Sequence, residues 1–421
     1  MSQITIAKPG PAPAEIAIRD ADALTLLLSR AGRRIRAGRL SVITPTGAQI
    51  TFNGAASGPS ARIILHRWRA LLSMAMNGDV GLGWSYVRGE WDSPDLPALV
   101  AFLACNIDRG ARQTLGARLL RPLRHVATRL SANTLNGSRR NIAYHYDIGN
   151  DFYRTWLDAS WTYSAALFEN QDMTLEQAQA GKYKRIAEGL GLRRGDHVLE
   201  IGCGWGGFAL FAAREYGARV TGITLSTEQL ALARKRAAEA GLSDELSFHL
   251  LDYRKVEGTF DHVVSIEMLE AVGEKYWPTY FETVARCLVP GGRAAIQSIV
   301  IDPAAYGRYR RGSDFIRAAV FPGGMLPTAP LIAGKAARAG LRLNDEFLFG
   351  AHYARTLRLW RENFSGAVPQ LAAEGIDDAF QRLWSYFLAY CEGGFHAGRV
   401  DVGQWIFEKS QFPAGAANRW S

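Results

Sequence analysis

Cysteine is scarce in this sequence, and the four present, Cys105, Cys203, Cys287 and Cys391, lie far apart with no pair at metal-ligand spacing. That excludes a dense disulfide framework, gives no metal centre, and suits a reducing compartment. Long apolar runs are missing too, since no stretch approaches the roughly eighteen residues of a membrane-spanning helix. The N-terminal MSQITIAKPGPAPAEIAIRDADALTLLLSR lacks a basic start and carries acids before its short apolar run, so it does not read as a signal peptide. Internal repeats, zinc-finger spacing and aromatic RNA-binding motifs are absent, which leaves nucleic acid unsupported as a partner. Acidic residues disappear altogether between Arg109 and Arg140, where Arg112, Arg118, Arg121, Arg124 and Arg129 alternate with Leu115, Leu119, Leu120, Leu123, Val126 and Leu130. This pattern fits a basic amphipathic helix on anionic lipid headgroups, or a solvated linker helix.

What is present is the balance of a globular enzyme: 48% hydrophobic and 21% charged residues over 421 positions, with a net charge of +9. That length calls for two domains. Residues 1–108 read as a small α+β domain, with β-type runs such as LSVITPTGAQITF and a helical ARIILHRWRALLSMAMNG. Residues 109–140 form the basic linker. Residues 141–421 open on alternating strand-like and helical runs, HVLEIG, GGFALFAAREYG, ARVTGITLS, TEQLALARKRAAEAG, ELSFHLLDY, DHVVSIEM and GGRAAIQSIVI. Such alternation predicts an α/β, doubly wound, Rossmann-like sheet. Beyond Ala304 the pattern turns helical and aromatic, with Trp360, Phe364, Trp384, Tyr386, Phe387, Tyr390 and Phe395, which suits a cap over a hydrophobic substrate.

The run HVLEIGCGWGG sets a buried strand directly before Gly202, Gly204 and Gly207. Glycines there let backbone approach a nucleotide cofactor, and the following helix offers free N–H groups. A dinucleotide fold would place an acid roughly 20 residues later for the ribose, but this chain has Thr224 in ITLS. Glu200 before the glycines and the LDY at Leu251 resemble instead the cofactor contacts of class I S-adenosylmethionine-dependent methyltransferases.

Eight motifs carry a resemblance: RRNIAYHYDIGNDFY at Arg139, TYSAALF at Thr162, LEIGCGWGG at Leu199, ITLSTEQ at Ile223, LLDYR at Leu250, SIEMLEAVG at Ser265, FIRAAVFPGG at Phe315 and HYARTLRLW at His352. Together they resemble the cyclopropane-fatty-acyl-phospholipid synthases and mycolic acid methyltransferases, and GDVGLGWSYVRGEWDSPDL at Gly78 resembles the extra N-terminal domain of the phospholipid-acting branch. The resemblance implies cofactor contacts at Tyr163, Ser164, Glu200, Gly202, Gly204, Thr224, Gln229, Tyr253 and Arg254. It also implies methyl transfer to an acyl double bond through a carbocation, with Tyr353 at the active centre. The family removes the proton with a bicarbonate held by Cys, Glu, His, Tyr and backbone N–H groups. Here Glu270, Tyr353 and Ile299 match, but the cysteine position is Ala165 and the histidine position Gln297, which puts bicarbonate in doubt.

Glu267, three residues before Glu270, would share a helical face with it and could act as base or orienting group; Glu392 and His352 are lesser candidates. SIEMLEAVG, AIQ and YCEGGF are most similar to the subgroup that makes methyl- or methylene-branched and furan fatty acids. The expected product is therefore branched or a methylated diene, with cyclopropane as the alternative. A small-molecule N- or O-methyltransferase and an inactive lipid-binding protein are the readings of other classes. The implied setting is cytoplasmic, at the inner face of an anionic membrane, acting on unsaturated phospholipid; the resemblance is compatible with a homodimer and with a downstream reductase or desaturase.

Overall fold

The computed structural model describes residues 35–106 and 149–410, and these divide into two compact units: 35–106 with Ile376–Ala397, and 149–375 with 398–410. The basic stretch, most of RRNIAYHYDIGNDFY and the N-terminal thirty residues lie outside the described residues.

In the first unit, β1 (Ala37–Ile43), β2 (Gln49–Asn53), β3 (Ala56–Leu65) and β4 (Trp91–Asp92) form a sheet of order β2-β1-β3-β4, joined by α1 (Arg69–Val87) and α2 (Leu96–Asn106). The helical reading of ARIILHRWRALLSMAMNG holds only from Arg69 onward. Ala61, Ile63 and Leu65 are buried in alternation with exposed Arg62 and half-buried Ile64, a period of two that belongs to a strand. Helix α12 (Asp378–His396) also packs here, against α1 and α2, with Gly393 close enough to Val100 that a Cβ would lie 2.6 Å from its side chain. Trp384, Tyr386, Phe387, Tyr390 and Phe395 thus sit on a helix of this unit, although their sequence position placed them within 141–421.

The second unit contains α3 (Asn150–Arg154), α4 (Leu175–Leu190), β5 (His197–Ile201), α5 (Gly207–Tyr216), β6 (Arg219–Thr224), α6 (Thr227–Glu239), β7 (Leu246–Leu250), β8 (Phe260–Ile266), α7 (Trp277–Cys287) and β9 (Leu288–Ile301). It continues with α8 (Pro303–Arg311), α9 (Phe315–Ala319), α10 (Ala329–Arg338), β10 (Leu341–Leu348), α11 (Gly350–Ala373) and β11 (Val400–Lys409). The sheet order is β10-β11-β9-β8-β5-β6-β7, with β5 to β9 parallel and β10 and β11 antiparallel. This is the predicted doubly wound α/β sheet. Its parallel strands are near-continuous apolar runs because helices cover both faces; Val198, Leu199, Val263 and Val264 have no exposure. Strand order reverses between β5 and β8, and a crevice opens at the carboxyl ends of such strands. It brings Gly202, just after β5, beside Met268 and Glu267, just after β8.

Helix α4 shows how local sequence fixes the frame. Thr174 and Gln177 form a reciprocal capping box at its start, and Gly191 ends it in the left-handed conformation. No helix among the described residues is long and apolar enough to cross a membrane.

Candidate active site

Gly202 and Gly204 hold positive φ angles of 81° and 52°, conformations that cost glycine little. A Cβ at Gly202 would lie 2.8 Å from the Met268 side chain, whereas one at Gly204 would meet nothing within 4 Å. The glycines therefore form a bare floor that a ligand can approach closely. The cleft above it spans about 950 Å³ of space, open solvent at its mouth included. Tyr163, Ser164, Glu200, Thr224, Gln229, Tyr253 and Glu267 line it with the glycines. Glu200 is buried, burial pushes its carboxyl up to about 8, and its Oε2 has no partner among the described residues. The Tyr253 hydroxyl is likewise buried and unpartnered. Buried acceptors left open are costly unless a ligand meets them. These residues fit S-adenosylmethionine, whose ammonium and ribose hydroxyls are donors. Arg254 is not in this lining; its guanidinium is taken by Asp252, at 2.6 Å and 2.8 Å.

The other end of the cleft is built around Glu267. This residue has φ +50°, unusual for a residue other than glycine, and is held by its backbone N–H donating to the Gln297 carbonyl at 2.8 Å. Its carboxylate collects three donors from three separate segments. Oε1 accepts from the Ala165 backbone N–H at 2.8 Å and from Gln297 Nε2 at 2.7 Å, and Oε2 accepts from the Tyr353 hydroxyl at 2.6 Å. Burial raises its pKa, against the lowering effects of Tyr353, Ala165, Lys182 and Gln297.

Glu270, on the single turn Leu269–Ala271, accepts from the Ile299 backbone N–H and the Ser298 hydroxyl with Oε1, while Oε2 is buried with no partner among the described residues. Burial and the neighbouring Glu267 charge push it up to about 8, so it keeps its proton at neutral pH. Two carboxyl groups thus stand in one site, both raised by burial, Glu270 without a partner on Oε2 among the described residues and Glu267 held by three donors. Trp360 is buried, its ring centroid 5.3 Å from that of Tyr163, which lines the cleft, and 6.0 Å from that of Tyr353. These ring faces can stabilise a cation.

All six residues expected at the chemistry, Glu270, Tyr353, Gln297, Ala165, Ile299 and Glu267, are joined through these two carboxyl groups. The sharing of one helical face by Glu267 and Glu270 is not seen, because β8 gives way to a left-handed residue and then a single turn. Three donors that the resemblance assigns to bicarbonate, at Ala165, Gln297 and Tyr353, are occupied by Glu267, so these residues do not fit that ion. His352 spends Nδ1 accepting from the Phe168 N–H, and Glu392 lies on α12 of the first unit, 3.8 Å from His396.

Lys182 was missed. It is fully buried on α4, donates to Ser164 Oγ at 2.6 Å, and is pulled down to about 7 by burial against the attraction of Glu267, Asp158 and Glu200. A sequence signal existed, because Ala178, Lys182 and Ile186 share the apolar stripe of that helix.

The family model described as mycolic acid cyclopropane synthetase matches residues 134–405. The tuberculostearic acid methyltransferase UfaA1 of Mycobacterium tuberculosis is 40% identical over 365 residues, covering 84% of this chain and 85% of that protein. The cyclopropane-fatty-acyl-phospholipid synthase of Escherichia coli is 35% identical over 341 residues, covering 79% and 84%. Among solved structures, the mycolic acid cyclopropane synthase CmaA1 complexed with SAH and CTAB has a TM-score of 0.61 at 30% identity, over 64% of this chain and 98% of that one.

Proposed function

Because this chain belongs to the mycolic acid cyclopropane synthetase family, we propose that its S-adenosylmethionine-dependent methylation of fatty acyl chains is directed to the double bond of an unsaturated phospholipid and yields a methylene-branched product rather than a ring. The observation that carries this reading is the Glu267 carboxylate, seated on the donors of Ala165, Gln297 and Tyr353 in the wall of the cleft.

S-adenosylmethionine, when bound, supplies a methyl group on a positively charged sulfur. The alkene π electrons would form the new C–C bond as the methyl–sulfur bond breaks and its electron pair returns to sulfur, leaving positive charge on the neighbouring carbon. Tyr163 lines the cleft and would face that charge, its ring backed by Trp360, which also contacts Tyr353. A 1,2-hydride shift moves the cation to the methylated carbon. Glu267 then takes a proton from the new methyl group, and the C–H electron pair forms the double bond of a methylene branch on the chain. A carboxylate has about four acceptor positions, and three donors leave one for this proton. A proton beside a carbocation is very acidic, so placement matters more than base strength. Glu267 is tied to the end of β8 and cannot follow the methyl group as a small ion can, which favours loss after rearrangement over ring closure. Saturation of the methylene would require a separate reductase.

A membrane surface is supported by the exposed Leu72, Met76 and Trp84 of α1 beside exposed Arg67 and Arg69, and by the basic composition of residues 109–140. The test incubates the protein with S-adenosylmethionine and vesicles of monounsaturated phospholipid, followed by mass spectrometry and proton NMR of the released acids. The expected result is a gain of one CH₂ with vinylic protons. High-field ring protons would overturn the product, and labelling of a soluble amine or phenol instead of lipid would overturn the substrate.

A further inference from the structure

A continuous line of hydrogen bonds runs from the edge of the second unit to Glu267, and no motif pointed to it. Its outer end is Arg185 on α4, whose side chain is 24% exposed. The guanidinium donates to Asp345 Oδ2 at 2.6 Å and lies 4.3 Å over the Phe347 ring, two anchors on β10 that fix its plane. From there Nη1 donates to Gln404 Oε1 at 3.2 Å. Gln404 is fully buried on β11 and stands directly opposite Gln297 of β9 in the antiparallel register. Its Nε2 donates to Gln297 Oε1 at 3.0 Å, and Gln297 Nε2 donates to Glu267.

We infer that Arg185 and Gln404 are positioning residues that fix the direction in which Gln297 hydrogen-bonds Glu267. The inference rests on Glu267 being the base proposed above. A carboxamide can present either its oxygen or its NH₂ to a neighbour, and at Gln404 the choice is made by Arg185 on its oxygen, with the Lys182 carbonyl accepting from its NH₂ at 3.5 Å. Arginine only donates, so it claims the Gln404 oxygen and turns that NH₂ inward. Gln297 must then accept with its oxygen and donate with its NH₂. A reversed Gln297 would set a carbonyl oxygen against a carboxylate. Every dipole therefore points the same way, with a cation at the rim and the anion at the cleft, and aligned bonds in a dry interior reinforce one another. Gln297 cannot itself become a cation as a histidine can; the line brings the influence of one to it from the rim. The other ionisable groups facing Glu267 are Lys182 from α4, Tyr353 from α11 and Glu270 from the turn after β8.

The experiment uses the full chain with vesicles of monounsaturated phospholipid and compares Gln404→Leu, Arg185→Met and Arg185→Lys with the unaltered protein. It measures kcat, KM, the pH profile of kcat, S-adenosylmethionine affinity by calorimetry and the melting temperature. Loss of the line should weaken the anion, so the acidic limb of kcat should move to higher pH by about one unit in Gln404→Leu, with kcat down about tenfold near that limb and cofactor affinity unchanged. Arg185→Met should shift it the same way by less, and Arg185→Lys, which keeps the charge, should restore most of the difference. A fall in melting temperature with an unmoved limb would mean packing alone and overturn the inference. If Gln404→Leu does not fold, Arg185→Met at the rim decides. A Glu267→Gln variant with full kcat would overturn the base assignment itself; an unmoved limb in Arg185→Met, with Glu267→Gln inactive, would overturn only the role of the line.

Discussion

The two ends of the cleft treat buried carboxyl groups in opposite ways. At the glycine floor, Glu200 keeps one oxygen unpartnered, and its burial pushes the group up to about 8. At the far end, Glu267 has both oxygens engaged by three donors. An open buried carboxyl oxygen is a standing cost that a ligand can remove, and the proposed cofactor contact at Glu200 would remove it. A nearly saturated carboxylate has its geometry settled before any ligand arrives, which is what proton transfer requires. Lys182 lies between them, fully buried, donating to Ser164 and attracted to both glutamates.

If this division is right, substitutions at the two ends should separate kcat from affinity. The largest effect belongs to Glu267→Gln, with kcat for labelled methyl transfer down about a thousandfold and cofactor affinity retained. Glu267→Gly sharpens the point, because it suits the positive φ and frees the three donors; added bicarbonate should restore part of its activity while doing nothing for the unaltered protein. Tyr353→Phe removes one bond to a charged group and should lower kcat about ten- to a hundredfold. At the other end, Glu200→Gln should weaken S-adenosylmethionine binding about tenfold by calorimetry, with kcat at saturation little changed.

The smallest effect concerns stability and Glu270. Its folded value of about 8 exceeds the ordinary 4.5, so across that window the unfolded chain releases a proton that the folded one holds. Stability from this group is therefore present below about pH 4.5 and is lost as pH rises to about 8. Glu270→Gln should gain on the unaltered protein across that range in denaturant midpoint; a constant difference from pH 5 to 8 would show that Glu270 ionises in the fold.

The binding end was legible in the chain because it is local: strand, glycines and helix follow one another within HVLEIGCGWGG, and each residue there keeps its neighbours after folding. The alternation of β- and α-type runs determined the parallel sheet for the same reason. Glu267, Gln297, Tyr353 and Ala165 could be named from motifs, but not the bond each makes, since the four lie on separate segments up to 188 positions apart in the chain. Arg254, implied as a cofactor contact by the LLDYR motif, has its guanidinium on Asp252, a pairing the motif does not record.

By itself the sequence determined the sheet, the cofactor floor and the family, all properties of contiguous residues and their periods. Tertiary structure alone decided that α12 packs with the first unit, that Glu267 sits on the donors at Ala165, Gln297 and Tyr353, and that Gln404 faces Gln297. The physical reason is that hydrogen-bond direction and carboxyl protonation are set by what long-range packing brings within 3 Å, and no local pattern records it.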